Sequence, residues 1–101
     1  MPFNPEEQLK DLGIQLPQPA ATVANYVPYV KSGNLLFIAG QISRSPDGTN
    51  MIGKLGETMT IEEGYAAARS AAIFAIAAIK SALGDLNQVS RIVRMLSLIH
   101  I

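Results

Sequence analysis

The sequence predicts an α+β fold, in which a small sheet is covered on one face by a long helix. Three observations predict it. Two strand-like runs meet at a glycine-containing turn, a capped and alanine-rich helical run follows, and a β-branched apolar run comes after that. The order helix, β-hairpin, helix, strand implies a right-handed crossover, which would make the last strand parallel to its neighbour in the sheet.

Helix signals stand near the amino terminus, in NPEEQLKDLG. Asn4 can cap a helix, Pro5 suits the first helical position and Gly13 can end it. We therefore expect a short helix over about residues 5–12. An extended connector to about residue 24 should follow, because IQLPQPAATVA contains two prolines and several small residues.

A β-hairpin is predicted over residues 25–42. The first strand, NYVPYVK, is aromatic and β-branched, and Pro28 favours an edge position because proline cannot donate a ladder hydrogen bond. Gly33 and Asn34 tolerate positive φ and separate the two runs. The second strand, which starts at Leu35, should end in a turn at SPDG.

The clearest helix is predicted over residues 60–84. Thr60 and Glu63 form a capping box in sequence, and Gly84 stands where a C-cap glycine belongs. Apolar residues keep helical spacing along it, which predicts a packing face made of Tyr65, Ala68, Ala72, Ile76, Ile79 and Leu83.

The carboxyl-terminal run VSRIVRMLSLIHI predicts a third strand over residues 89–95. Three strands and one long helix would leave a sheet edge open, and mature proteins pair, cover or charge such edges. We therefore interpret residues 1–101 as a single domain that is incomplete at its carboxyl-terminal side.

The amino-acid composition indicates which kinds of partner the chain can have. The chain is 49% hydrophobic and 16% charged, against about 25% charged in typical domains. This favours burial against another chain, or else polar surface supplied by a missing part of the domain. Net charge is zero and the eight Lys and Arg residues are scattered, which argues against nucleic acid as a partner.

Location and metal chemistry are also constrained. Without cysteine, disulfides and thiolate metal sites are excluded. The most apolar segment, residues 70–79, has about half of the roughly 20 residues that a membrane span needs. We therefore expect a soluble, cytoplasmic protein that does not bind a membrane.

No catalytic set follows from spacing alone. His100 is the only histidine, whereas a metal site normally needs three or four donors. Glu62 and Glu63 suit a helix cap better than an acid/base pair, since adjacent helical residues do not face each other. Ser43 and Ser45 have no histidine to serve them as a base. We predict neither a metal nor a cofactor.

Several motifs together resemble one family. ANYVPYVKSGNLLFIAGQIS resembles the amino-terminal hairpin of the Rid (reactive intermediate deaminase, YjgF-type) family, whose motif ends in Ser-Gly-Gln. LGDLNQVSRIVRM is similar to that family's passage from the long helix into the next strand. LGIQLP and the Ala-Gly-Gln variant resemble the chorismate-mutase-like branch. The resemblance covers about residues 12–95.

The resemblance implies a chorismate-mutase-like α+β fold, assembled as a homotrimer with clefts between subunits. It implies hydrolysis of reactive enamines and imines, such as 2-aminoacrylate, to 2-keto acids and ammonia. The partner would be a small molecule with a carboxylate. By position, Tyr26 would line the cleft, the Gly40 backbone N–H would hold the carboxylate, and Gln41 would match the family's glutamine.

Two departures keep other interpretations open. Ala39 stands where the deaminating members have serine, and the family's carboxylate-binding arginine and water-positioning glutamate lie in the half of the domain that this chain lacks. Its catalytic residues are therefore unknown, and we expect the 101-residue chain alone to be inactive. The alternatives are a non-catalytic small-molecule-binding trimer and, less favoured, an endoribonuclease or translation inhibitor. Residues 96–101, LSLIHI, depart from the family pattern, and we interpret them as a non-native tail.

Overall fold

The first helix, α1, forms where the capping residues predict it. The computed structural model describes residues 4–18, 27–44 and 50–98. Within them, α1 spans Pro5–Asp11, and the Asn4 side chain accepts a hydrogen bond from the Glu7 backbone N–H at 3.1 Å. Gly13 adopts φ of 71° just after the helix. The predicted helix at residues 5–12 is confirmed to within one residue.

The hairpin pairs β1 (Tyr29–Ser32) with β2 (Leu35–Ile38) in antiparallel fashion. Gly33 has φ of 57° at the first position of the two-residue turn, and Asn34 does not adopt positive φ. This combination is typical of a type II′ turn, whose twist suits a hairpin.

Both strands are shorter than predicted. Beyond Tyr29 and Ile38, the Ala39 N–H still donates to the Pro28 carbonyl at 2.9 Å. Pro28 has no N–H with which to return that bond, so the ladder ends there. The extension of β2 to residue 42 is therefore wrong. The part of the first strand before residue 27, and the predicted SPDG turn from residue 45, lie outside the described residues.

The long helix α2 spans Ile61–Leu83, and its predicted caps are confirmed. The Glu63 N–H donates to Thr60 Oγ1 at 3.1 Å, and the Thr60 N–H donates to Glu63 Oε1 at 3.0 Å. At the other end, Gly84 adopts φ of 80° and its N–H donates to the Lys80 carbonyl at 2.7 Å.

The predicted packing face of α2 is wrong in its first half. Tyr65 is 74% exposed, and Ala68 and Ala72 are exposed as well. Two strands can cover only a narrow side of the 23-residue helix. In its first half, the side of α2 that packs on the rest of the chain is the one with the half-buried residues Gly64, Ala67, Ser70 and Ala71, and the predicted face lies elsewhere. Leu55 packs on Gly64 there, so closely that a Cβ on Gly64 would stand 2.5 Å from Leu55 Cδ2.

By length and composition alone, α2 could cross a membrane. Its observed contacts are with β2 and with a 3-10 turn at Leu86–Gln88. A charged Arg69 lies within the helix. These features favour a helix that covers a sheet.

The α1 junction is the place where α1 meets the end of α2 and the 3-10 turn. Glu6 accepts hydrogen bonds from Lys80 Nζ and from the Leu86 N–H, both at 3.0 Å. The Glu6 N–H donates to Asn87 Oδ1 at 3.2 Å. Leu86 is buried there, and in the described part of the chain the other buried apolar residues are Ala77 and Ala78 of α2.

The third strand predicted at residues 89–95 does not form. The sheet in the described residues consists of β1 and β2 alone, and Ile92, Val93 and Met95 are 62%, 69% and 80% exposed. β-propensity reflects packing on a paired, half-buried surface, and this segment has no paired edge beside it. The parallel pairing expected from the crossover is therefore wrong as well.

Candidate ligand site at the end of β2

The strand-end segment, residues 39–44, directly follows β2 and carries the predicted site residues Gly40 and Gln41. Successive backbone N–H groups of an extended chain point to opposite sides. The Ala39 N–H points to Pro28 of the neighbouring strand, so an extended backbone at residue 40 would turn the Gly40 N–H away from β1. No hydrogen bond to it is found within residues 4–18, 27–44 and 50–98.

Gly40 is also sterically open. The residue is exposed, and a Cβ built on it would meet no atom within 4 Å. Its φ does not lie in the left-handed region. Glycine is therefore not required at this position by local packing or by backbone strain, and the position offers an accessible backbone donor.

Gln41 is half-buried and folds back on its own strand. Its Nε2 donates to the Ala39 carbonyl at 3.3 Å. This bond orients the side-chain amide close to the segment. Ala39, also half-buried, presents no hydroxyl beside it. Tyr26, the third predicted site residue, lies outside the described residues.

Helix α2 anchors the strand-end segment through one serine. The Arg44 N–H donates to Ser70 Oγ at 3.0 Å, and the Ser70 hydroxyl donates back to the Arg44 carbonyl at 2.7 Å. Ser43 is held as well, since its Oγ donates to the Met51 carbonyl at 3.1 Å. The far end of the segment is thus fixed, while the Gly40 end stays open.

Sequence reasoning missed Arg44 and Ser70. The available signal was a hydroxyl in the apolar run of α2, since such a side chain needs a hydrogen-bond partner when it is removed from water. The Arg44 guanidinium carbon lies 5.9 Å from the centre of the Phe74 ring. Its Nε is buried and has no hydrogen-bond partner in the part of the chain that the structure describes.

A surface groove lies away from this segment. It has a volume of about 710 Å³ and runs between α1, the connector and α2, where Glu6 and Lys80 line it. The Leu86 N–H and the Lys80 ammonium hold the pKa of the Glu6 carboxyl below its usual range. The Glu6 carboxylate is therefore already bound by the Lys80 ammonium and by the Leu86 N–H, and we interpret this ion pair in the groove as structural.

Within the described ranges, no three His, Cys, Asp or Glu side chains come close enough together to bind a metal ion. His100 lies outside those ranges. Several of the described carboxylates serve caps or ion pairs. Hydrogen bonds from Thr60, through its backbone N–H and its hydroxyl, lower the pKa of Glu63. The chemistry of the strand-end segment is therefore that of backbone, amide and guanidinium donors.

Comparison with known proteins identifies the family. A family model described as "YjgF/chorismate_mutase-like, putative endoribonuclease" matches residues 6–101. The chain belongs to the YjgF/chorismate-mutase-like family. The resemblance inferred from the hairpin motif is thereby confirmed, as is the chorismate-mutase-like α+β fold. The match includes residues 96–101, whose interpretation as a non-native tail stays a prediction.

Relatives of this YjgF-family chain come from distant organisms. It is 45% identical over 87 residues to "Protein TCP17" of Trypanosoma cruzi, covering 86% of this chain and 54% of that protein. The crystal structure of a protein from Shewanella oneidensis, described as a "putative endoribonuclease", superposes with a TM-score of 0.75 at 41% identity, covering 83% of this chain and 56% of that one.

A third relative is Atu1372 of Agrobacterium tumefaciens, a protein described as having unknown function. It gives a TM-score of 0.70 at 37% identity, covering 85% of this chain and 52% of that one. The chain thus spans about half the length of each of these relatives.

Proposed function

We propose that the gene product containing this chain binds small carboxylates at the end of β2 and hydrolyses reactive enamines and imines of the 2-aminoacrylate type. The observation that carries the proposal is the Gly40 backbone N–H, which has no hydrogen-bond partner within the described residues and stands at an exposed, open position. Membership of the YjgF family supports it, because the deaminating members hold a carboxylate at the corresponding glycine.

In the proposed hydrolysis, the role of Gly40 and Gln41 is to hold the substrate in position. Water adds to the carbon of the imine, the C–N bond breaks, and a 2-keto acid and ammonia leave. A Gly40 N–H bound to the carboxylate would fix the imine for this attack, and Gln41 would stand beside it. Fixed geometry and electrostatics can supply much of such a rate increase. The residue that moves the proton is not assigned within this chain.

A non-catalytic binding protein is the second candidate. Ala39 favours it, because a methyl group stands where deaminating members carry a hydroxyl donor. In that case the Gly40 N–H would still bind a carboxylate, but 2-aminoacrylate would decay no faster with the protein than in buffer.

Ribonuclease activity is the least favoured candidate. The word endoribonuclease describes both the family and the Shewanella oneidensis protein. This chain has zero net charge and scattered basic residues, whereas RNA binding normally relies on clustered positive charge.

The assay uses the complete gene product and 2-aminoacrylate generated in situ. We expect ammonia and pyruvate to appear faster than in buffer, with the Shewanella oneidensis relative assayed in parallel. Equal rates with and without the protein would refute the deaminase proposal and leave the binding protein. Cleavage of single-stranded RNA, lost on heat denaturation, would support the third candidate instead. The 101-residue chain assayed alone should be inactive.

A homotrimer is proposed as the working assembly. Val30, Leu35 and Phe37 share the outer face of the hairpin in the observed register, and they are 54%, 48% and 58% exposed. A contiguous apolar face of this kind usually marks an interface. Sedimentation should give three chains per particle, and Phe37→Lys should dissociate it, whereas Tyr65→Lys on α2 should not. A monomeric wild type would refute the trimer.

We also propose that the protein acts in the cytoplasm. The absence of cysteine is compatible with a reducing compartment, and reactive imines arise in metabolism there. Recovery of the native protein in the membrane or secreted fraction of its cells would contradict this.

A further inference from the structure

Ser70 stands at a place in α2 where the helix itself has no need of a serine. Residues 66–72 read AAARSAA, and alanine stabilises a helix more than serine does. The hydroxyl of the half-buried Ser70 is bound outside its own helix: it accepts from the Arg44 N–H at 3.0 Å and donates to the Arg44 carbonyl at 2.7 Å. One side chain thus satisfies both backbone groups of a residue 26 positions away.

The strand-end segment is fastened on both sides of its open part. At the hairpin, the Ala39 N–H is bound to the Pro28 carbonyl at 2.9 Å. At the far side, the Ser43 hydroxyl donates to the Met51 carbonyl at 3.1 Å, and the Met51 N–H donates back to the Ser43 carbonyl at 3.2 Å. The bonds of Ser70 tie the residue that follows Ser43 to α2. The segment is therefore held by the hairpin at one end and by the helix at the other.

Residues 40–42 bridge these two fixed ends, and Gly40 is the first of them. A short bridge whose ends are both fixed has few conformations open to it. The orientation of the Gly40 N–H therefore depends on where Ser70 places the far end of the segment. A donor that is held in place before the ligand arrives loses little conformational freedom on binding, and this raises affinity.

We propose that Ser70 is a positioning residue of the candidate ligand site: its hydroxyl holds the strand-end segment on α2 and thereby fixes the Gly40 N–H in the orientation that binds a small carboxylate. This role rests on the proposed carboxylate binding at Gly40 and is independent of catalysis. Ser70 acts through the backbone and has no contact with the ligand.

The first test is a titration of the complete gene product and its Ser70→Ala variant with pyruvate, the keto acid expected from 2-aminoacrylate. The variant should fold, because alanine suits the helix. Its pyruvate affinity should fall about three- to tenfold, because the Gly40 N–H is no longer held in place before binding. Pyruvamide lacks the charge that strengthens a hydrogen bond to the N–H, so its affinity should fall less than about twofold. A general loosening of the fold would weaken both ligands alike.

The second test needs no ligand. In protein that is isotope-labelled in glycine alone, the Gly40 amide signal is identified by its absence in Gly40→Ala. The order parameter of that amide, which reports fast backbone motion, should fall in Ser70→Ala. The signals of Gly33 in the hairpin turn and Gly64 in α2 should keep their order parameters.

Matched variants separate positioning from helix stability. Ser81→Ala makes the same substitution at an exposed position of α2 and should leave pyruvate affinity within about twofold, as surface changes away from a site do. Ser70→Thr keeps a hydroxyl that donates and accepts, so it should retain most of the affinity. If Ser70→Ala does not fold, Ser70→Cys replaces it, because a thiol forms only weak hydrogen bonds.

Wild-type pyruvate affinity in Ser70→Ala, or an unchanged order parameter at Gly40, would overturn this role. Equal losses for pyruvate and pyruvamide would overturn it as well. A wild type that does not bind pyruvate would refute the proposed carboxylate binding, whereas a Gly40 amide loosened by Ser70→Ala would still support the hold of Ser70 on the segment. Pyruvate binding that weakens in Ser70→Ala, without any hydrolysis of 2-aminoacrylate, would refute the proposed catalysis and support the positioning role.

Discussion

The α1 junction and the strand-end segment differ in how completely the chain satisfies its own groups. At the junction, the Glu6 carboxylate accepts hydrogen bonds from both the Lys80 ammonium and the Leu86 N–H, and Leu86 is 4% exposed. At the strand end, neither the Gly40 N–H nor the Arg44 Nε has a hydrogen-bond partner within residues 4–18, 27–44 and 50–98. The junction satisfies its own polar groups, whereas the strand end has donors without partners among the described residues.

The largest expected effect comes from the core of the junction. Leu86→Ala should lower the free energy of unfolding by about 2–5 kcal/mol, because it removes a buried side chain and leaves a cavity. Leu12→Ala, at a position that is 70% exposed, should cost under about 0.5 kcal/mol. Urea unfolding of both variants measures the difference, and equal losses would show that the junction is not the stabilising region.

A smaller effect is expected at the amino-terminal end of α2. Thr60→Ala removes the hydroxyl that accepts from the Glu63 N–H and should cost about 0.5–2 kcal/mol. Thr60→Ser keeps the cap and should lose much less. A loss of helix content equal in both variants, measured by circular dichroism, would argue against the capping box.

The smallest effect is a pH dependence at the junction. Hydrogen bonds from the Leu86 N–H and Lys80 hold the pKa of Glu6 below its usual range. A lowered acid pKa adds stability above the unfolded value, about 4.3 for glutamate, and this stability is lost as pH falls through the folded pKa. The melting temperature of wild type should therefore drop toward that of Glu6→Gln between about pH 6 and about pH 3.

Glu57→Gln is the control for that series. It removes an ion pair with Lys54 in which both side chains are more than half exposed, and such pairs contribute little. A Glu6→Gln profile parallel to that of wild type at every pH would contradict the role of Glu6 at the junction.

The sequence predicted what is local and missed what depends on distant pairing. The caps at Asn4, Thr60 and Gly84 involve neighbours within a few residues, and all three form. Strand length depended on Pro28 across the hairpin. The strand at residues 89–95 failed to form because propensity cannot supply a paired edge.

In the candidate site, too, the residues that are neighbours in sequence were predicted and the contact between distant residues was missed. Gly40 and Gln41 were predicted as consecutive residues of one motif, and whether they bind substrate stays a prediction. Arg44 and Ser70 are 26 positions apart, and their contact arises only when α2 packs beside the end of β2. The junction was missed for a similar reason, since Glu6 and Lys80 are 74 positions apart.

Gly40→Ala tests most directly whether the strand end is a ligand site. A Cβ meets nothing within 4 Å there, so stability should stay equal or rise by about 0.4–1 kcal/mol, while the methyl group obstructs the approach of a carboxylate to the N–H. Gly53→Ala is the structural contrast, because its Cβ would stand 2.9 Å from Met59 Cβ and should destabilise the fold. We predict that Gly40→Ala keeps its melting temperature and loses pyruvate affinity; undiminished affinity in that variant would contradict the site.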